Sequence, residues 1–422
     1  MKRVGGLFEA IADAQTMTKA AWRAARGKRQ RPEVRRFLGR LDHETGRLVR
    51  ALRDGSFQFG QYRTFAIRDP KSRTIHAPPF HARVVHHALI AVTGPVFERG
   101  AISHSYACRA GRGQHAAIGQ VRRWLHPGDW FLKLDVAKFY DNVDHAVLRT
   151  VLARHFRERR LLDLFDRLLA SHTSAPGKGL PIGGLTSQYL GNFYLSSFDH
   201  WVNQSCRIRR YIRYMDDLLF LGDQESLRHL QKSSAMALAG LGLKVKNGGI
   251  LNTAAFGIPY LGFVIYPNRV RLNQQGRRRL RRKTKILERA WESDRMGDCE
   301  LQARAEALFA HARFGDDLGW RRMVTRFSRI GEMQEPVPRP AGRLLGQFRQ
   351  VLPLGVSRLE LAGCPPQVST AFASVWFAAR WHWPPDDASS RARLAGTKPQ
   401  KSLPCAEIRP RVEKARGGAI CS

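Results

Sequence analysis

The chain has 422 residues, of which 43% are hydrophobic, enough to fill the cores of two or three subdomains. Lys and Arg number 71 against 35 Asp and Glu, so the formal net charge is +36. So large an excess favours a nucleic-acid partner over an anionic membrane surface, and over a charge that serves solubility alone.

The sequence lacks a run of ~20 apolar residues that could span a bilayer and a signal-peptide core near Met1. Six scattered cysteines without a C-x-x-C pair argue against a zinc site and a disulfide scaffold. A reducing cytoplasm is the expected location.

The first third of the chain predicts helices interrupted by one hairpin. Residues 7–54 carry apolar side chains at helical spacing, with basic residues between them. Alternating residues around "DPKSR" predict a β-hairpin with Lys71 and Arg73 near its tip. A helical pattern returns in "HARVVHHAL", and a Gly/Arg loop leads into a further helix.

From "WFLKLD" onward, short strands alternate with helices. A strand is predicted to end at Asp135, and a helical stretch covers 146–172. A glycine-rich loop and a helix precede a hairpin at 211–221, and a helix over 225–243 precedes a strand pair in "GIPYLGFVIYPNRVRL". A basic helical region follows, in which seven of the nine residues 277–285 are Lys or Arg. This mixture predicts an α+β fold.

Asp216 and Asp217 stand side by side inside the apolar, strand-favouring run "YIRYMDDLLFL". An unpaired carboxylate in an apolar sheet is costly, and two neighbours also repel each other. A turn near Met215–Asp216 would place both at a hairpin tip, where Asp135 could meet them. Hard oxygen ligands without His or Cys nearby indicate Mg²⁺ or Mn²⁺. A plain turn is the commoner explanation for an isolated Asp-Asp; the apolar flanks and the second strand-end aspartate favour a metal site here.

The tetrapeptide "YMDD" resembles the metal-binding hairpin of reverse transcriptases, and five further blocks follow in that family's order. These are "DPKSRTIHAPPFHARVVHHAL", "SYACRAGRG", "LKLDVAKFYDNVDH", "GLPIGGLTSQYLGNFYL" and "GIPYLGF". The resemblance runs from about residue 57 to 285. It implies RNA-templated DNA synthesis, in which two Mg²⁺ ions, or Mn²⁺ in their place, activate a 3′-hydroxyl and stabilise the leaving pyrophosphate.

The resemblance also implies a right-hand polymerase with fingers, a palm whose antiparallel sheet has helices on one face, and a helical thumb. The expected divisions are a basic helical extension (1–55), fingers (56–128), palm (129–265) with its template loop and helix (173–192), YMDD hairpin (211–221) and primer grip (257–265), a basic thumb (270–335), an extension of unassigned role (336–383) and a disordered tail (384–422).

The resemblance assigns site residues position by position. The catalytic and metal-binding set is Asp135, Asp216 and Asp217, with the Val136 carbonyl as a further ligand. The nucleotide-contacting set is Lys71, Arg73 and Arg109 for the triphosphate, Tyr140 against a ribose 2′-hydroxyl, and Ile182, Gly183 and Gln188 of the template loop. The primer-grip set is Tyr260, Leu261 and Gly262, and the duplex-backbone set is Arg277, Arg278, Arg281, Arg282 and Lys285. Solvated positions for the single cations, and core positions for Tyr140 and Ile182, are the simpler alternatives.

The template loop distinguishes lineages within the family. Many reverse transcriptases have Q-G-x-x-x-S-P there, whereas residues 182–188 of this chain are I-G-G-L-T-S-Q. That form resembles the enzymes of diversity-generating retroelements in bacteria and phages, which copy a template RNA with errors at adenines and work with a small basic accessory protein. The Ile182 side chain cannot hydrogen-bond, so it would position the nucleotide less firmly. Weaker positioning would reduce the free-energy difference between correct and incorrect base pairs, in which ~1.4 kcal/mol corresponds to a tenfold change in discrimination. Group II intron and retron enzymes are close alternatives.

A non-catalytic RNA-binding protein derived from a polymerase would explain the positive charge equally well. It would not explain why Asp135, Asp216 and Asp217 are all present. The expected partners are therefore a template RNA with its cDNA primer, deoxynucleoside triphosphates and an accessory protein, without a membrane.

Overall fold

The computed structural model describes residues 2–68, 72–326 and 330. Its N-terminal part is helical, which confirms the pattern predicted over 7–54. The four helices are α1 (Phe8–Ile11), α2 (Ala14–Ala25), α3 (Pro32–Gly39) and α4 (Leu41–Arg53). Helix α2 begins after Asp13, whose carboxylate accepts a hydrogen bond from the Thr16 N–H at 2.8 Å.

The next segment contains the predicted hairpin and two helices. Strands β1 (Arg63–Arg68) and β2 (Ser72–Ala77) pair antiparallel, from Arg63 opposite Ala77 to Arg68 opposite Ser72. Lys71, which the sequence places near the tip, lies outside the described residues. Helix α5 (Phe80–Gly100) packs against α2, and α6 (Gln114–Trp124) follows. Because buried side chains cover most of the circumference of α5, this helix is largely enclosed in the core.

A four-stranded antiparallel sheet, here called the palm sheet, confirms the predicted α+β class. Its order is β4-β5-β3-β6, with β3 (Trp130–Asp135), β4 (Tyr211–Tyr214), β5 (Asp217–Gly222) and β6 (Ile250–Thr253). The helices between these strands are α7 (Phe139–Asn142), α8 (His145–His155), α9 (Arg159–Ala170), α10 (Leu185–Tyr194), α11 (Ser196–His200) and α12 (Gln224–Gly240). The stretch 146–172 divides into α8 and α9. Between them the Arg157 N–H donates to the Val4 carbonyl instead of to a carbonyl of the preceding helical turn.

Successive residues of the palm sheet face opposite layers, as a strand requires. Leu132 and Leu134 of β3 are buried in one hydrophobic cluster with leucines of α12. Phe131 lies in a second cluster, with residues of α6 and of the small sheet that follows. The palm sheet is therefore covered on both faces, and its site lies at the end where β3 stops.

Between the palm sheet and residue 326, the described chain forms three short strands and then three α-helices. The antiparallel strands β7 (Ile258–Tyr260), β8 (Phe263–Ile265) and β9 (Val270–Leu272) form a second sheet where a strand pair was predicted. Strand β9 is also held by the carboxylates of Asp316 and Asp317, which accept from the Val270 and Leu272 N–H groups at 2.7 and 2.6 Å.

The predicted basic thumb contains α13 (Gln274–Glu292), α14 (Asp298–Ala312) and α15 (Leu318–Thr325). The expectations for 336–383 and for a disordered tail at 384–422 fall outside the described residues. In the described part of the chain, helices that combine the length and apolarity needed to cross a bilayer are absent.

Candidate active site

The YMDD hairpin turns at Met215 and Asp216. Tyr214 of β4 pairs with Asp217 of β5, so two residues form the turn. Met215 has φ 56°, in the left-handed region that such tight hairpin turns require. Only Asp216 therefore lies in the turn itself, whereas Asp217 is the first residue of β5.

The structure brings the three predicted carboxylates to one end of the palm sheet. Asp135 of β3 lies directly opposite Asp217 of β5, and residues opposite each other in an antiparallel pair project to the same face. The Val136 N–H donates to the Asp216 carbonyl at 3.4 Å, which joins the turn to the end of β3.

The electrostatics of this end suit a cation. Burial raises the pKa of Asp216 to about 6, and the neighbouring Asp217 and Asp135 charges add to the effect, while Arg73 opposes it. Groups of three or more Asp, Glu, His or Cys side chains arranged to hold an ion are absent from the described residues. Mg²⁺ commonly uses one or two carboxylates and fills its other positions with water and phosphate oxygens, so the donor set fits this ion.

Two lysines that the sequence analysis missed contact the carboxylates. Lys133 Nζ lies 3.6 Å from an oxygen of Asp217, and Lys246 Nζ lies 3.9 Å from an oxygen of Asp135. Lys133 could have been found, because it precedes Asp135 by two residues and so shares its strand face. Lys246 follows α12 and reaches the site only through the tertiary fold.

The two described cations predicted to bind the triphosphate have different environments. Arg73 is exposed on β2, and its charge lowers the pKa of Asp216. The guanidinium of Arg109 instead forms an ion pair with Glu98 at 2.6 Å and donates to the carbonyls of Ile102 and Ser105 at 2.5 and 2.8 Å. With its side chain 9% exposed, Arg109 ties its loop to the end of α5, and its triphosphate contact stays a prediction.

Tyr140 lies within the electrostatic reach of the site. Burial raises its pKa, with smaller contributions from Cys108 and Asp216 and an opposing one from Arg73. Its ring packs edge-on against Phe139 with centroids 5.3 Å apart. Both interpretations made from the sequence, a nucleotide contact and a core tyrosine, are compatible with this partly buried position.

The template loop and the start of α10 contact β2 and the loop between α5 and α6. The Ile182 carbonyl accepts from the His76 N–H of β2 at 2.8 Å. Gly183 has φ 118°, and a Cβ there would lie 2.9 Å from Ile75 Cγ2. The Cys108 thiol donates to Gln188 Oε1 at 3.3 Å. The loop is therefore held by backbone packing on one side and by its helix α10 on the other.

The predicted primer-grip residues lie where β7 turns into β8, with Tyr260 as the last residue of β7 and Leu261 and Gly262 in the turn. Tyr260 is buried; burial raises its pKa, and the Asp217 charge adds to this effect, which places the ring near the carboxylates. Leu261 and Gly262 both have positive φ, 47° and 84°. The side-chain amide of Gln114, a residue not predicted, donates to the Leu261 carbonyl and holds this turn.

Helix α13 presents a basic face. Arg278, Arg281, Arg282 and Lys285 are exposed and recur at helical spacing. Arg277 differs, because its guanidinium pairs with Asp317 and lies over the Trp320 ring, 5.2 Å from its centroid. Four of the five predicted backbone-contacting cations can therefore meet a ligand from one side, and the fifth ties α13 to α15.

Comparison with known proteins identifies the segment that contains this site. Residues 68–265 match the family model described as reverse transcriptase (RNA-dependent DNA polymerase). This segment is a reverse transcriptase domain. It includes all three carboxylates, the template loop and the primer grip.

Relatives of the reverse transcriptase domain occur in intron-encoded proteins. A putative COX1/OXI3 intron 1 protein of Saccharomyces cerevisiae is 26% identical over 39% of this chain and 20% of its own length. The group II intron-encoded protein LtrA of Lactococcus lactis subsp. cremoris is 25% identical over 39% of this chain and 29% of its own length. This chain thus spans less than a third of either relative.

A structure of apo telomerase from Candida tropicalis, truncated from the C-terminal domain, is also similar. The matched part covers 51% of this chain and 55% of the telomerase chain. It has a TM-score of 0.40 and 12% sequence identity. The identification rests on the family match.

Proposed function

We propose that this protein synthesises DNA on an RNA template by two-metal nucleotidyl transfer. The observation that carries the proposal is the placement of Asp135 opposite Asp217, with Asp216 in the adjoining turn. Mg²⁺ held by these carboxylates and the Val136 carbonyl would activate the primer 3′-hydroxyl and stabilise the leaving pyrophosphate.

The surrounding residues would bind and orient the substrates. Arg73, exposed beside Asp216, would hold the triphosphate through its planar fork of donors. Tyr140 would pack against the sugar, and the Ile182–Gly183 backbone would approach the nucleotide where glycine leaves room. The basic face of α13 would follow the phosphate backbone of the RNA–DNA duplex without reading its bases.

Primer extension on an RNA template with Mg²⁺ tests this function. Asp216→Asn should abolish extension while the protein stays folded and binds RNA. Asp223→Asn is a suitable control, because Asp223 is an exposed carboxylate that accepts from the Ser226 N–H at the start of α12. RNA binding without extension by the wild type would instead support the non-catalytic binder.

A narrower proposal is error-prone synthesis of the kind made by diversity-generating retroelements. Its support is the I-G-G-L-T-S-Q loop, in which the Ile182 carbonyl is bonded to β2 and the side chain cannot hydrogen-bond a nucleotide. Ile182→Gln should raise fidelity opposite template adenine in single-nucleotide incorporation, and Ile182→Leu should leave it unchanged. Unchanged fidelity with Gln would refute this account of the errors. A small basic accessory protein belongs to the same proposal.

A group II intron-type enzyme is the second candidate. The relatives named as intron proteins favour it. The genomic neighbourhood discriminates between the two. A template repeat beside a near-copy that differs at adenines supports the retroelement, whereas intron RNA sequences flanking the gene support the intron enzyme.

A further inference from the structure

A fully enclosed ion pair lies beneath the YMDD hairpin. Asp199 of α11 and Arg213 of β4 have side chains 0% and 1% exposed. Arg213 donates to both Asp199 oxygens, from Nε at 2.8 and 3.0 Å and from Nη2 at 2.6 Å, and the Tyr211 hydroxyl donates to Asp199 at 2.7 Å. Such a pair tolerates burial only with good geometry and additional hydrogen bonds, and both are present here.

The same guanidinium reaches the catalytic turn. Arg213 Nη1 donates to the Met215 carbonyl at 3.1 Å and to Asn192 Oδ1 at 2.9 Å. The Asn192 side-chain amide in turn donates to the Ala107 carbonyl at 2.9 Å. One buried side chain thereby connects α11, α10 and the turn, and Asn192 extends the network to the loop between α5 and α6.

The Met215 conformation gives this contact its importance. A left-handed φ of 56° is unfavourable at a non-glycine residue and persists only where the surroundings enforce it. Arg213 holds the carbonyl before Asp216, and the Val136 N–H holds the carbonyl of Asp216 itself at 3.4 Å. The peptide groups on both sides of the Asp216 Cα are therefore hydrogen-bonded, which constrains the direction in which its side chain leaves the backbone.

We propose that Arg213, oriented by Asp199, is a positioning residue that aims the Asp216 carboxylate through the Met215 carbonyl. The inference rests on the proposed function and adds to it the contact that fixes the conformation of the metal-binding turn. The competing explanation is that the buried pair contributes to folding alone.

The chain offers a matched control at the other end of the same strand. Arg210, just before β4, forms a similar two-pronged pair with Asp129, at 2.7 and 3.0 Å, and also donates to the Trp124 carbonyl at 3.1 Å. Arg210 lies at the end of β4 away from the turn. Arg213→Lys and Arg210→Lys each keep the charge and lose the planar fork, but only the first removes a tie to Met215.

The experiment measures kcat, the KM for deoxynucleotides, the melting temperature and its rise on adding Mg²⁺ or Mn²⁺. Arg213→Lys should lower kcat by roughly 10- to 100-fold, because small displacements of reacting groups have effects of that size. Its nucleotide KM should stay within about threefold, since the residues that bind the nucleotide in the ground state are kept. Its metal-induced rise in melting temperature should shrink. Arg210→Lys should keep kcat and the metal-induced rise even where its melting temperature falls as far.

Equal losses of kcat in the two variants, or an unchanged metal-induced rise in Arg213→Lys, would overturn the inference. If Arg213→Lys does not fold, Asn192→Ala serves in its place, because it keeps the ion pair and removes one acceptor that orients the guanidinium. A wild type that extends no primer refutes the proposed function, and the metal-induced rise still tests the positioning. An active wild type with a fully active Arg213→Lys refutes the positioning alone.

Discussion

Asp135 and Asp217 lie directly opposite each other on adjacent antiparallel strands, so two carboxylates share one face at the end of the palm sheet. Each carboxylate has a lysine beside it, Lys246 for Asp135 and Lys133 for Asp217, at 3.9 and 3.6 Å. Asp216 adds a third charge from the turn, and the repulsion among the three contributes to its raised pKa. This concentration of negative charge leads to predictions about pH and metal.

The stability of the metal-free protein should fall as pH rises through about 6. The pKa of Asp216 is about 6 in the folded protein against an ordinary 3.8, so the folded state binds this proton more tightly than the unfolded chain. Its contribution is complete below the unfolded pKa and is lost as pH rises through the folded one. Thermal melts in a chelator at about pH 5 and about pH 7.5 should show a smaller decrease for Asp216→Asn than for the wild type. Equal decreases would contradict the prediction, and Mg²⁺ should reverse the wild-type loss at the higher pH.

Arg73 and Arg109 should respond differently to removal of the guanidinium. Arg73→Ala should raise the KM for deoxynucleotides by roughly tenfold with little change in melting temperature, because the side chain is exposed and its charge acts on Asp216. Arg109→Ala should lower the melting temperature, since it leaves the Glu98 carboxylate and two carbonyls without their donor. Steady-state kinetics and thermal melts check both variants. A larger KM effect for Arg109→Ala at unchanged stability would instead support the triphosphate role predicted from the sequence.

Gly183→Ala should disrupt the packing of the template loop against strand β2. The new Cβ would lie 2.9 Å from Ile75 Cγ2 and 3.2 Å from the His76 carbonyl, at a φ of 118°. We expect a loss of about 1–3 kcal/mol in the free energy of unfolding, together with reduced primer extension. Gly177→Ala is the control, because Gly177 also has positive φ, 68°, but open space around its Cβ position. Equal losses in the two variants would show that φ alone matters and that the close approach to β2 does not.

The basic face of α13 should determine the salt dependence of duplex binding. Replacing Arg281 and Arg282 with Gln should reduce the slope of log K against log salt by about 0.7–0.9 for each phosphate that the protein no longer neutralises. Arg277→Gln should lower the melting temperature instead, because Arg277 is bonded to Asp317. Binding of an RNA–DNA duplex over a range of salt concentrations measures the slope. An unchanged slope in the double variant would show that another surface carries the duplex.

Local sequence patterns predicted much of the fold. The alternation of apolar and polar residues predicted a strand that ends at Asp135, where β3 ends in the structure. The strand-favouring residues around Asp216 and Asp217 predicted a hairpin that turns at Met215–Asp216, which also agrees with the structure. The antiparallel pair β1–β2 and the helices between 7 and 54 were equally predictable. Each depends on backbone preferences and hydrophobic periodicity within a few residues, which a single sequence displays.

The choice of partner for each charged group depended on the tertiary structure. The sequence alone suggests a ligand role for Arg109, but the fold brings Glu98 and two carbonyls to its guanidinium. In the same way, the sequence does not distinguish Arg213 among the 71 Lys and Arg residues. Only the fold buries it against Asp199 and within hydrogen-bond distance of the Met215 carbonyl. A long charged side chain can reach many partners, and strand register and desolvation select among them. The sequence by itself thus determined which residue types could bind metal and nucleic acid, and the tertiary structure decided which of them meet.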